Sequence, residues 1–142
     1  MLATFVIGLV LSLAVCCFAT IIRLDGDRAF FPTVLIVIAA CYVLFAVIGG
    51  TPPTIIAESA MAAAFLFAAT LGFRRNLWLV VAALAAHGVF DVLHGIVIAN
   101  PGVPVWWPTF CLSYDLTAAA FLAWTLHRDP HKRAPHTAAT PR

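Results

Sequence analysis

Leu77–Asn100 reads LWLVVAALAAHGVFDVLHGIVIAN. A spanning helix needs roughly 20 mostly apolar residues, and this stretch supplies them. It nevertheless carries His87, Asp91 and His94 near its middle. A helix turns about 100° per residue, so positions i, i+4 and i+7 share one face. Val80, Leu84 and Ile98 continue that stripe in both directions. Ionisable groups at this depth cost roughly 2.5–3.5 kcal/mol each on insertion scales, and they are rare unless they face protein or water. The pattern predicts a membrane-spanning helix with one functional face.

The rest of the chain agrees with a membrane setting. Of 142 residues, 63% are hydrophobic and only 10% charged, against about 25% charged in an ordinary soluble domain. The mean hydropathy is +1.03. These values exclude an ordinary soluble domain and predict an all-α, polytopic membrane helix bundle built as one unit. The net charge of +2 defines no partner by itself. Membrane lipid is the expected surrounding, and no nucleic-acid partner is expected.

Five apolar stretches stand out, at about residues 2–22, 31–49, 54–73, 77–99 and 109–126. The third is alanine-rich and interrupted by Glu58 and Ser59, so four spans are the topological alternative. The basic residues decide between them. Arg23 and Arg28 follow span one, Arg74 and Arg75 follow span three, and Arg128, Lys132, Arg133 and Arg142 lie beyond span five. The connections at Gly50–Pro53 and Asn100–Pro108 carry none. Five spans put every basic residue on one side, which by the positive-inside rule is cytoplasmic. The N-terminus is then expected outside and the C-terminus in the cytoplasm.

The opening MLATFVIGLVLSLAVCCFAT lacks the basic start of a signal peptide and reads as a retained first span. Trp106 and Trp107 at one interface, and Trp78 at the other, match the aromatic belts of membrane proteins. Residues 127–142 are polar, basic and proline-rich. They are expected to form a disordered cytoplasmic tail against anionic lipid rather than a metal site of His127, His131 and His136. Asp25-Gly26-Asp27 is too short for a calcium loop. The four cysteines form no C-x-x-C pair, and Cys16, Cys17 and Cys41 read as small buried hydrophobes.

Three of the six acids fall within spans, namely Glu58, Asp91 and Asp115. His87 and His94 join them, and no lysine or arginine lies inside a span to neutralise them. At a rise of 1.5 Å per residue, these five and Cys111 all fall roughly 0–10 Å to the outer side of the midplane. Gly88, Gly95 and Ala99, with the alanines at 60, 62–64 and 118–120, let spans three, four and five approach closely. A polar pocket between those spans is expected, rimmed by Pro104–Pro108.

Carboxylates and imidazoles without a basic partner suit a divalent cation such as zinc, iron or manganese. His87, Asp91, Glu58 and Cys111 are the candidate ligands, with packing as the competing role for Cys111. His94 and Asp115 are the candidate catalytic groups. His87 and His94 lie about 10 Å apart along the helix, so one ion reaching both would be strained. A single ion with the second histidine as proton shuttle, or two ions bridged by Asp91, fits better. The expected chemistry is metal-assisted and acts on an apolar or lipid-like substrate. Two other classes remain open. One is proton-coupled transport of an ion or small molecule, for which five helices would call for a homo-oligomer. The other is a structural or accessory subunit, with the polar groups joining helices.

The stretches ESAMAAAF from Glu58, LGFR from Leu71, HGVFDVLH from His87 and PTFCLSYD from Pro108 carry a resemblance. They resemble a family of small uncharacterised bacterial multi-pass membrane proteins. In that family a His-x-x-x-Asp-x-x-His helix precedes a Pro/Trp-rich loop and a Cys-x-x-x-Asp helix. The resemblance covers roughly residues 55–125 and implies the bacterial inner membrane, but no activity. The histidine boxes of membrane desaturases, the histidine and serine order of ceramidase-like hydrolases and the H-E-x-x-H of zinc proteases are all missing.

Overall fold

A computed structural model describes residues 1–129. The five long helices are α1 (Leu2–Ile21), α2 (Phe30–Gly49), α3 (Pro52–Arg74), α4 (Trp78–Val97) and α5 (Trp107–Arg128). Each is long and apolar enough to cross a membrane. The alanine-rich third stretch is the longest helix, α3, with 23 residues, and the lowest hydropathy of the five belongs to α5 instead. Residues 127 and 128, expected in the tail, close α5 instead. The remainder of the expected tail, from residue 130, lies outside the described residues.

Local chemistry sets the helix ends. Pro52 and Pro53 open α3, and Pro108 lies in the first turn of α5; there a missing N–H removes no helical bond. After α1, Arg23 adopts a left-handed conformation at φ 61°, which costs a non-glycine residue on the order of 1 kcal/mol. The acids that follow serve the turn. Asp25 accepts from the Thr20 hydroxyl at 3.3 Å, and Asp27 accepts from the Ala29 N–H at 2.9 Å.

Consecutive helices run in opposite directions. Arg28, between α1 and α2, donates to the carbonyl of Phe73 near the end of α3 at 3.1 Å. Trp78 at the start of α4 packs edge-on against His127 at the end of α5. At the opposite end, the Thr54 hydroxyl donates to the Ala99 carbonyl at 3.3 Å. The arginines at 23, 28, 74, 75 and 128 therefore gather at one end of the bundle.

α4 packs against α5, α3 and α2, while α1 docks on α5. The α1 seam is made of Gly8, Ser12, Cys16 and Ala19, which are buried and spaced three or four apart. Gly8 is needed there, because a Cβ would collide with Ser113 Oγ and the Phe110 carbonyl. Ser12 Oγ donates to the Tyr114 carbonyl at 2.9 Å. Leu35, Val80, Leu84, Leu122 and Leu126 fill the core towards the arginine end.

The molecule is apolar outside and polar in its centre. Phe67, Ile96 and Val105 are 69%, 86% and 88% exposed, whereas Glu58, His87, Asp91 and Asp115 are 1% exposed or less. A protein in water would place these groups the other way round. This distribution, with the five long helices, is that of a multi-pass membrane protein.

Candidate metal centre

α4 presents His87, Asp91 and His94 on one buried face, together with Val80 and Leu84. The i, i+4, i+7 spacing is therefore realised inside the bundle. Neighbouring helices then divide the histidines between two centres.

At the first centre, His87 Nδ1 lies 2.7 Å from Asp115 Oδ2 on α5 and 3.4 Å from Asp91 Oδ2 one turn along α4. Asp91 Oδ1 accepts a hydrogen bond from the Tyr42 hydroxyl of α2 at 2.5 Å. Close packing of α4 on α5 brings the two acids together. A Cβ on Gly88 would come 3.3 Å from Asp115 Cβ and 3.4 Å from the Leu112 carbonyl, so a larger residue would push the helices apart. The ring of Phe65 closes the site edge-on to His87, at 4.7 Å between centroids.

One donor atom from each of His87, Asp91 and Asp115 falls within 4.8 Å of the others, so these residues could hold a metal ion. Two donors bound to one tetrahedral ion at about 2.1 Å sit about 3.4 Å apart. The 3.4 Å between His87 and Asp91 has that spacing. The shorter His87–Asp115 contact is a hydrogen bond, and it would lengthen slightly around an ion. His87 Nε2, Asp91 Oδ2 and Asp115 Oδ1 are buried and have no hydrogen-bond partner among the described residues. Such atoms usually have partners, because their desolvation is costly.

At the second centre, His94 Nε2 meets Glu58 Oε1 of α3 at 2.7 Å. The same oxygen accepts from Asn100 Nδ2 at 2.8 Å. Asn100 also donates to the Tyr42 carbonyl at 3.2 Å and accepts from the Gly102 N–H at 3.2 Å, which fixes its amide. The Tyr42 ring stacks on His94 with centroids 4.2 Å apart and planes 24° from parallel. Tyr42 thus touches both centres, through its hydroxyl at one and its ring at the other.

Of the expected ligands, His87 and Asp91 converge, and Asp115 joins them. Glu58 lies with His94 instead of at the His87 group. Cys111 is buried as a free thiol but is not among the three donors that converge. The expected pocket between spans three, four and five also includes α2, through Tyr42. Two participants were absent from the sequence expectations, Tyr42 and Asn100. A tyrosine in mid-span, away from the interfaces where this residue concentrates, is the signal that could have found the first. Asn100 sits beside Pro101 and gives only a turn signal.

Compared with family profiles, curated proteins and solved structures, the chain matches none.

Proposed function

We propose that this chain is an intramembrane metalloprotein in which His87, Asp91 and Asp115 hold one divalent cation, with zinc, iron or manganese as the fitting ions. The observation that carries the proposal is the meeting of three donors from two helices in a fully buried layer, with a buried nitrogen or oxygen of each residue left without a hydrogen-bond partner among the described residues. Two carboxylates beside one imidazole leave a net negative charge that a dication would offset. When bound, such an ion polarises a substrate oxygen or activates water. Asp115 is then a ligand, and Glu58 orients His94. His94, outside the ligand group, carries a proton to or from the substrate. An apolar or lipid-like substrate fits a chain whose surface is apolar at this depth.

Elemental analysis of purified protein tests this reading. About one metal per chain is expected in the wild type, and none in Asp91→Asn. Metal-free wild-type protein, or an Asp91→Asn variant that keeps its metal, would overturn it. Proton-coupled ion transport is the second reading. It is favoured by the presence of two separate His–carboxylate pairs, one beyond the other along α4. Metal-free protein with proton-dependent flux in liposomes would establish that reading instead.

We further propose that the arginine end faces the cytoplasm and the N-terminus faces outside, in keeping with the positive-inside rule. The bacterial inner membrane is the proposed location. Cysteine labelling at Thr51 and Thr137 should report opposite sides, and labelling from the same side at both positions would refute the orientation.

A further inference from the structure

We propose that Tyr42 selects the cation of the His87 group: its hydroxyl holds one oxygen of Asp91, leaves the other for the ion and so favours zinc over manganese. This inference rests on the reading of that group as a cation site and adds a positioning residue to it. Tyr42 reaches the site from α2 and is 2% exposed. Its hydroxyl donates to Asp91 Oδ1 at 2.5 Å. The other oxygen, Oδ2, lies 3.4 Å from His87 Nδ1 and has no hydrogen-bond partner among the described residues. The two oxygens of one carboxylate thus have different surroundings.

The tyrosine is held so that its hydroxyl stays on Asp91. Its ring stacks on His94 at 4.2 Å and meets the rings of Phe90 and Phe45 edge-on at 6.1 and 6.4 Å. Its carbonyl accepts from Asn100 Nδ2 at 3.2 Å, which ties α2 to the loop after α4. These contacts leave the ring little freedom. A buried hydroxyl that lost its acceptor would be left unsatisfied, and that state is costly. A cation arriving at Asp91 therefore meets Oδ2 and finds Oδ1 already engaged.

The donor set turns that arrangement into selectivity. Among the described residues the converging group is His87, Asp91 and Asp115. If both acids bound through both oxygens, the set would approach the octahedral, oxygen-rich surroundings that manganese prefers. With Oδ1 of Asp91 engaged by Tyr42, the set shrinks toward the tetrahedral one that zinc prefers. Hydrogen bonds that orient a ligating carboxylate commonly set metal affinity. A tyrosine that served packing alone would support every ion alike, because it would act on the fold and not on Asp91.

The full chain in phosphatidylcholine nanodiscs is titrated with zinc and with manganese against a competing chelator, as wild type and as Tyr42→Phe. The variant keeps the ring and removes only the hydroxyl. Zinc affinity should fall about 10–100-fold, and manganese affinity should hold or rise. Equal losses for the two ions, or no loss for either, would overturn the proposal and leave Tyr42 a packing residue. Infrared difference spectra of protein with ¹³C-labelled aspartate, zinc-loaded minus metal-free, give a second readout. A carboxylate bound through one oxygen has widely separated stretching bands, and one bound through both has close ones. The wild type should show a widely split pair that Tyr42→Phe loses. A wild type without that pair overturns the proposal even where the variant fails to fold. Wild-type protein that binds neither ion overturns the cation reading and the selectivity with it, whereas zinc binding with an unaltered preference overturns the selectivity alone.

Discussion

His87 and His94 lie on the same face of one helix, about 10 Å apart, and each sits 2.7 Å from a carboxylate of a neighbouring helix. Their surroundings nevertheless differ. His87 faces two acids, and its second nitrogen is enclosed without a hydrogen-bond partner among the described residues. His94 faces one acid, shares it with an amide, and is buried beside a cavity at the end of α4. The comparison teaches that a histidine–carboxylate pair has no fixed role in a membrane interior. The neighbouring helix and loop decide whether a second acid or an amide completes the pair.

Removing each histidine is the strongest way to break the contrast. His87→Ala leaves two buried carboxylates without their base, a situation that costs about 3–5 kcal/mol. His94→Ala leaves Glu58 with Asn100 and should cost only about 1–2 kcal/mol, the scale of interhelical hydrogen bonds in membranes. His87→Ala should also lose metal, and His94→Ala should keep it. Unfolding in graded denaturant and metal content together check both, and equal losses in the two variants would erase the distinction between the centres.

Tyr42→Phe is a finer probe. It removes the hydroxyl from Asp91 and retains the ring over His94, so a loss of about 0.6–1.7 kcal/mol is expected. Histidine NMR should show the larger perturbation at His87. A larger change at His94 would mean that stacking, not the hydroxyl, is the link. Cys111→Ser should have the smallest effect, about 1 kcal/mol or less in the same unfolding assay, with metal retained. Loss of metal from that variant would add Cys111 to the ligand group.

The sequence was informative wherever one helix settles the matter. Span positions and the shared face of His87, Asp91 and His94 follow from local hydropathy and helical periodicity, which need no partner. Partner choice is a property of helix rotation and cannot be read from one span. Nothing in HGVFDVLH says that Asp115 turns to His87 while Glu58 turns to His94. Tyr42 illustrates a second limit. In its span, FFPTVLIVIAACYVLFAVIG, only the mid-span place of the tyrosine marks it, and that does not say which partner its hydroxyl takes. Asn100 acts through a loop whose path depends on the close approach of Gly49 and Gly102.

The docking of α1 on α5 bears on how the protein is made. Ser12 and the Tyr114 carbonyl it bonds are 102 residues apart in the chain. At synthesis rates of about 5–20 residues per second, the first helix waits roughly 5–20 s for its partner. During that interval its Gly8–Ser12–Cys16–Ala19 seam meets lipid or another protein. The same late helix brings Asp115 to His87. A nascent chain stopped before α5 therefore lacks both its closing seam and the third donor of the His87 group, so that group cannot assemble until α5 has been made.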